Sequence, residues 1–414
     1  MHFLFLFLLI NFNLFAEDYE WEINNEIGFD IREFHKEEAF PNQKNTYSSY
    51  LKSEIYLEVS EKINFISEPY YRYDHNDKER SLFNFKENYL LYFKGNSEVK
   101  IGIAQIFWGV TESKNLVDII NVYDATDGDQ KAKLGQSMLS YSTYFESAGI
   151  FDFYYLPFFS KKPQIGESGR LRLAKPIENY DVIYSGGAGE KVPSWAFKWE
   201  KNIGMSDFSI QVFRGNSRDN STIPLIEGTT LKYFAGYERI SQLGAYMQTI
   251  SGPYIFKFEA IKRHGQKNAN NIRENYYSYT LGAEYLLNRL FEKVWDLSLF
   301  IEYSNDDRAN DSTDIMQNDI FIAGKLLFND VNGAELLIGS TFDVDGGGNT
   351  SNVEVSSRIT EDIRVTGTYQ SYWSTNNKDP LHDFRRDNYL GVKVIKYFWY
   401  RSCTARKLLY NLYW

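Results

Sequence analysis

Apolar and polar residues alternate along most of the chain after residue 19. Phe208, Ile210 and Val212, for example, are separated by Ser209 and Gln211. Because successive side chains of a strand point to opposite faces, this period of two predicts strands with one apolar and one polar face. The chain is therefore expected to be an all-β protein.

The alternating segments are longer than the strands of most soluble proteins. They span roughly 10 to 13 residues, whereas strands usually have about 5 to 6, and a tilted strand needs about 10 to cross a bilayer. Eighteen such segments are predicted, near residues 20-33, 46-58, 63-74, 82-93, 97-108, 136-145, 148-157, 194-201, 205-214, 239-250, 252-264, 275-286, 294-304, 317-328, 334-344, 350-359, 362-372 and 387-398.

Short turns and long polar connections join these segments in alternation. The long connections would be residues 109-135, 158-193, 215-238, 305-316 and 373-386. Outer-membrane barrels have short periplasmic turns and long extracellular loops, and closure leaves no unpaired strand edge in the lipid. We therefore predict a transmembrane antiparallel up-and-down β-barrel of about 18 strands, with both ends in the periplasm.

The N-terminus and the composition are consistent with export. Residues 3-10 read FLFLFLLI and Ala16 precedes an acidic pair, a layout that predicts a signal peptide over 1-16, with an uncleaved anchor as the alternative. No later stretch approaches the roughly 18 apolar residues of a spanning helix. The single Cys403 excludes an intramolecular disulfide framework, and the net charge of -10 opposes nucleic-acid binding.

The chain end offers two closing segments for the barrel. Residues 387-398 read DNYLGVKVIKYF, which resembles the aromatic-terminated signature of outer-membrane barrels, although Lys396 departs from it. The last sixteen residues also alternate and end in Trp414, but a nineteenth strand would break the even count. We assign the barrel to residues 17-398 and treat 399-414 as a tail of uncertain status.

Charged residues of both signs occupy the polar faces. In a barrel of this size that face lines water, so the mixture predicts ion pairs across the lumen rather than a filter of one sign. The alternative is that these charges only keep the lumen wet. The pore-lining candidates are Lys52, Glu54, Glu68, Arg72, Lys100, Lys198, Glu259, Glu302, Arg358 and Arg364.

Two long connections carry more specific patterns. Within 107-137, Leu116, Val117 and Ile120 give an apolar side to a helix that would begin at Thr111 or Ser113. A connection this apolar is expected to fold into the lumen as a constriction or plug, with packing on the rim as the alternative. In 158-193, basic residues alternate with leucines and would face the acids of the first connection across a pore. The constriction candidates are Glu112, Lys114, Asp118, Asp124, Arg170 and Arg172.

Four sequence blocks carry a resemblance to a known family. FWGVTESKNLVDIIN, DGDQKAKLGQSML, FDFYYLPFF and GESGRLR resemble an uncharacterised family of porin-like outer-membrane barrels of Gram-negative bacteria. The strand count is more distantly similar to alginate-export barrels, which would imply a strongly basic lumen that this sequence lacks. The resemblance implies location and architecture but no substrate and no binding residues.

Catalytic and metal-binding patterns in the sequence are weak, although the acids of two loop motifs could hold Ca²⁺ through their oxygens. The histidines of the mature chain are not beside a Ser nucleophile or paired for a metal, and the acids in DATDGDQ and DVDGGG lack the EF-hand spacing. We therefore expect a protein that is not an enzyme and needs no cofactor.

The expected function is passive diffusion of small hydrophilic solutes across the outer membrane. The alternatives are a dedicated exporter or importer of one polymer or solute, and a plugged structural or adhesive barrel. The expected partners are outer-membrane lipid, the barrel insertion machinery and the solutes, with no nucleic acid. The sequence does not indicate the oligomeric state.

Overall fold

A computed structural model describes residues 20–127, 132–377 and 379–401. It contains twenty strands and five short 3-10 turns. The strands are β1 Trp21–Phe34, β2 Thr46–Ser60, β3 Ile63–Asp74, β4 Leu82–Lys94, β5 Ser97–Ala104, β6 Gln136–Phe145, β7 Gly149–Leu156, β8 Ile177–Ser185, β9 Ser194–Ile203, β10 Ser206–Asn216, β11 Ser221–Glu227, β12 Thr230–Ser251, β13 Tyr254–Lys267, β14 Arg273–Leu287, β15 Asp296–Asp306, β16 Asn318–Leu327, β17 Glu335–Asp343, β18 Gly348–Thr360, β19 Ile363–Ser374 and β20 Tyr389–Arg401. The 3-10 turns are Lys78–Arg80, Ala125–Asp127, Leu290–Glu292, Ala309–Asp311 and Pro380–Phe384.

Eighteen of these strands form one closed antiparallel barrel. All strands except β8 and β11 pair in chain order, and β1 closes the sheet by pairing with both β2 and β20. Gly28, for example, lies opposite Tyr50 on one side and Ile395 on the other. The predicted fold class and all eighteen predicted strands are confirmed. Within the described ranges, no helix is long and apolar enough to span a membrane.

β8 and β11 were not predicted and lie outside the barrel. β12 has 22 residues, of which the part from Arg239 onward pairs within the barrel. Its first part pairs antiparallel with β11 and parallel with β8, which gives a small three-stranded sheet above the rim that carries the long connections. Pro224 lies in β11, at the edge of this sheet, where a missing backbone donor is tolerated.

The outer face of the barrel is apolar and the inner face is polar. Ile210, Leu281 and Leu299 are 43–49% exposed, as predicted for residues that face lipid. Their neighbours Ser209 and Thr280, on the opposite face, are buried. This distribution is the reverse of that in a water-soluble barrel and is the one expected in a bilayer.

Both ends of the barrel lie at the rim that carries the short turns. The last strand continues past the predicted end at Phe398 to Arg401, which lies opposite Glu22 of β1. Lys396, the residue that departs from the terminal signature, makes an ion pair with Asp362 at 3.0 Å. Residues 402–414 and the predicted signal peptide 1-16 lie outside the described residues.

Candidate pore constriction

The connection between β5 and β6 folds against the polar inner face of the barrel. Most of its apolar residues, although not Phe107, are buried together with inward side chains from the wall, and many of these pack into one cluster. The loop contributes Trp108, Leu116, Val117, Ile119 and Ile120, and the wall contributes Met138, Tyr154, Phe213, Ile240, Ile261 and Tyr276. Such burial accounts for the position of an apolar segment inside a polar barrel.

The helix predicted within this connection is wrong. Residues 105–124 contain turns and irregular backbone, and the only helical piece in the described part of the connection is the 3-10 turn Ala125–Asp127. The physical reason is that wall carboxylates bind the backbone N–H groups of the segment, and the Val117 N–H, which such a helix would use internally, donates to one of them.

Glu259 of β13 is the first of these carboxylates. Its Oε1 accepts hydrogen bonds from the backbone N–H of Val110 at 2.6 Å and of Thr111 at 3.1 Å. The same oxygen accepts from the Thr111 hydroxyl at 2.9 Å, and Oε2 accepts from the Val117 N–H at 3.3 Å. Glu259 is fully buried, so the loop satisfies a carboxylate that would otherwise be costly to bury.

Glu302 of β15 holds the next part of the loop. Its two carboxylate oxygens accept from the backbone N–H groups of Glu112 and Ser113, each at 2.8 Å, and from the Ser113 hydroxyl. The Glu112 carboxylate makes an ion pair with Lys257 at 2.7 Å, and Lys114 pairs with Asp314 at 2.9 Å. The pore candidates Glu259 and Glu302 thus bind the same part of the loop, which contains the constriction candidates Glu112 and Lys114.

Arg218, which the sequence analysis did not single out, stabilises the middle of the loop. Its Nε donates to the carbonyl oxygens of Ile119 and Ile120 at 3.1 and 2.9 Å. The guanidinium lies between the rings of Phe159 and Phe213, with centroids at 5.3 and 5.2 Å. Burial lowers the pKa of Arg218 to about 9. The loop carbonyls and the aromatic faces therefore hold this buried cation in place of a carboxylate.

Contacts within the connection join its second half to its first half. Asp118 makes an ion pair with Lys133 and accepts from the Tyr123 hydroxyl at 2.9 Å. Burial raises the pKa of Asp118 and lowers that of Lys133, while each charge partly offsets the effect on the other. The Asn121 amide donates to the carbonyl oxygens of Ala104 and Leu134 at 2.9 and 2.8 Å, which ties the two ends of the connection together.

The far end of the loop meets three arginines of the opposite wall. Asp124 pairs with Arg72 at 2.8 Å, and Asp127 pairs with Arg32 and Arg80, each at 3.1 Å. Burial alone would raise the pKa of Asp127, but the guanidiniums of Arg80, Arg32 and Arg72 hold it below its ordinary value. Of these residues, Arg72 and Asp124 were predicted as candidates, whereas Arg32 and Arg80 were missed because they lie in or beside strands with no local motif.

The prediction that Arg170 and Arg172 face the acids of the first connection across a pore is wrong. Arg170 pairs with Asp387 at 2.7 Å, and Arg172 donates to the Glu167 carbonyl at 3.0 Å and lies over the ring of Phe40 at 4.9 Å. Neither faces the acids of the first connection. Leu171 between them has a left-handed φ of 59°, so the alternating sequence is not an extended strip.

The remaining pore candidates, apart from Arg358, form charge pairs or ring contacts along the wall. Lys52 pairs with Glu26 at 2.8 Å and with Glu54 at 2.7 Å, and Glu68 with Lys86 at 3.7 Å. The other contacts are Lys198 with Glu200 at 2.5 Å, Lys100 over the Tyr89 ring at 4.5 Å, and Arg364 with Glu335 at 3.6 Å. Arg358 lies directly opposite Arg364 in the sheet.

The described acidic side chains that could bind a metal ion make hydrogen bonds within the protein instead. Among the described residues, no three His, Cys, Asp or Glu side chains are placed to hold a metal ion. Asp343, in one of the two acidic loop motifs, accepts from the backbone N–H of Asp345 at 2.7 Å and of Gly347 at 3.0 Å. This carboxylate orders its own turn.

The whole barrel is similar to solved structures of outer-membrane porins. Pseudomonas aeruginosa OccK3 (OpdO) matches with a TM-score of 0.55 and 7% identity over 93% of this chain and 96% of that one. Acinetobacter baumannii OccAB4 matches at 0.53 and 10% identity, and a BenF-like porin from Pseudomonas fluorescens at 0.53 and 9% identity, each over 94% of this chain and 100% of the other.

This is the porin fold. At these identities the similarity concerns the fold alone. No protein-family model and no curated protein matches the sequence. In this fold, the connection between β5 and β6 described above lies against the inner wall.

Proposed function

We propose that this protein is an outer-membrane channel for passive diffusion of small hydrophilic solutes, with residues 105–127 as its constriction. The observation that carries the proposal is the attachment of an apolar connection to the inner wall by Glu259 and Glu302. Such attachment would narrow the lumen. The apolar outer face and the closed sheet support placement in a bilayer.

The charges along the inner wall support general diffusion rather than dedicated export. Acids and bases alternate as pairs, such as Lys52 with Glu26 and Lys198 with Glu200. A continuous series of like charges would favour one polymer or one ion, because selectivity filters are built from rings of one sign. Paired charges keep the wall wet and leave size as the main criterion for passage.

We also propose that residues 1-16 are removed on export and that the insertion machinery recognises the last barrel strand. The support for recognition is the alternation of Leu390, Val392 and Val394 on the outer face of β20, where Leu390 and Val392 are about half exposed. The long connections would then face the outside of the cell, and the short turns the periplasm.

Liposome swelling with sugars of graded size tests the channel proposal. Vesicles containing the purified barrel should swell in arabinose, more slowly in a disaccharide and least in a tetrasaccharide. The same protein unfolded by heat serves as the control. If vesicles with verified folded barrel do not swell in arabinose, the barrel is blocked and the proposal is wrong.

A further inference from the structure

A concavity of about 370 Å³ opens near the rim that carries the long connections. Its lining includes Arg214 of β10, Arg239 of β12, and His264 and Arg273 at the ends of β13 and β14. Arg214 lies opposite Ser241, and Ser241 lies opposite His264. These positions therefore form a row across three neighbouring strands.

This row belongs to the outer face of the barrel. The next row on the same face, two residues nearer the middle of each strand, contains Val212, Leu243 and Tyr277, which are 46–53% exposed. Lys262, in that same row, lies over the Tyr277 ring at 4.8 Å. The arginines thus lie immediately beyond the apolar band, at the level where lipid headgroups begin.

The cluster carries more positive charge than its surroundings neutralise. Among the residues that the structure describes, Arg214 donates only to the Ser241 hydroxyl, at 3.4 Å. Arg273 donates to the carbonyl oxygens of Gly265 and Arg239, each at 3.1 Å. In the part of the chain that the structure describes, none of the three arginines makes an ion pair, in contrast to Arg32, Arg72 and Arg80 inside the barrel.

One guanidinium nitrogen of the cluster has no hydrogen-bond acceptor among the described residues. Arg239 donates through Nη2 to the Pro193 carbonyl at 3.2 Å, but its Nη1 is buried and has no partner among the described residues. The single acid in the lining, Glu274, likewise has an unpartnered Oε1. With three guanidiniums against one carboxylate, the surplus is two positive charges even when His264 is neutral.

The turn above the concavity leaves space for the guanidiniums. Gly186 and Gly187 have left-handed φ values of 61° and 86°, which suit glycine. A Cβ on Gly186 would lie 3.1 Å from Nη1 of Arg273, and one on Gly187 would lie 3.9 Å from Cδ of Arg239. A side chain at Gly186 would therefore crowd Arg273.

We propose that Arg214, Arg239 and Arg273 bind the phosphate group of an anionic lipid in the leaflet around the long-connection rim. Guanidiniums bind phosphate through paired, charge-assisted hydrogen bonds. The apolar row of Val212 and Leu243 directly below supplies a surface for the acyl chains, which favours a lipid over free phosphate. This proposal goes beyond solute passage but rests on the proposed bilayer location.

The test is lipid binding by the full-length purified barrel, measured by native mass spectrometry. The probes are diphosphorylated lipid A, the same lipid after enzymatic dephosphorylation, and inorganic phosphate. We expect binding of the diphosphorylated lipid to weaken at least tenfold in the triple variant Arg214→Gln, Arg239→Gln, Arg273→Gln. The matched control replaces Lys62, Lys94 and Lys293, exposed at the opposite rim, with Gln and should bind as the wild type does.

A single variant keeps the test valid if the triple variant does not fold. Arg214→Gln leaves all backbone contacts of the cluster intact and should weaken binding severalfold in heat-modifiable, folded barrel. Equal binding by Arg214→Gln and the wild type, equal binding of the dephosphorylated lipid, or binding of inorganic phosphate alone would each overturn the proposal. Sugar-induced swelling should be unchanged in these variants, which separates this result from failure of the channel proposal.

Discussion

Removal of the Glu302 carboxylate should release the first part of the inward connection. The carboxylate accepts two backbone hydrogen bonds at 2.8 Å, from Glu112 and Ser113. Hydrogen bonds to a charged group contribute about 1.5–3 kcal/mol each, and because the loop donors are only partly buried the lower end of this range applies. Glu302→Ala should therefore destabilise docking by about 3 kcal/mol, or roughly 100-fold in the docked fraction.

Amide hydrogen exchange of the folded barrel in detergent measures this change. The Glu112 and Ser113 amides should exchange roughly 100-fold faster in Glu302→Ala, and Glu302→Gln, which keeps one acceptor oxygen, should be intermediate. The matched control is Glu335→Ala, since Glu335 is an inward acid whose ion-pair partners, Lys325 and Arg364, belong to the wall. Unchanged protection at Glu112 and Ser113 in Glu302→Ala would refute the assigned role of the carboxylate.

Three further predictions concern the barrel and the far end of the loop. Leu299→Arg should cost about 2–4 kcal/mol in urea unfolding from liposomes, whereas Ser298→Arg, on the inner face, should be tolerated; equal costs would contradict the register. Because the folded pKa of Asp127 is depressed below its ordinary value of about 4, its anchoring should be complete above that pH, weaken below it, and be lost as the pH falls through the depressed folded pKa; conductance should change only in that acid range, and Asp127→Asn should abolish the step. Truncation after Arg401 should leave heat-modifiable barrel at normal levels, because β20 is already fully paired with β1; loss of assembly would mean that residues 402–414 are part of the barrel.

The barrel was predictable because its signal is local. The residues of each strand alternate between its two faces, as Ile210 and Ser209 do. Because one face contacts lipid, this alternation extends over the full strand length. β11 was not predicted, because a proline such as Pro224 and a short alternation are also common in loops. The extension of β12 above the rim was not predicted for a similar reason, because residues outside the bilayer need not alternate between apolar and polar.

The arrangement of the site was not predictable because its contacts are distant in sequence. Leu116, Val117 and Ile120 have a spacing typical of a helix, but Glu259 and Glu302, between 140 and 190 residues later, take the backbone donors of the segment. Arg170 is likewise drawn to Asp387, 217 residues away. Long-range side-chain contacts of this kind follow from the closed barrel and leave no periodic pattern in the sequence.

Single-channel conductance in planar bilayers tests the central claim most directly. The wild-type protein should be compared with a variant in which residues 111-131 are replaced by a short Gly-Ser linker, after both are verified as folded by heat modifiability. The control replaces residues 222-232, in the small sheet outside the barrel, with the same linker. The account predicts open, ohmic steps for the wild type, the same steps for the control, and larger steps for the variant without the inward connection; equal conductance with and without residues 111-131 would contradict it.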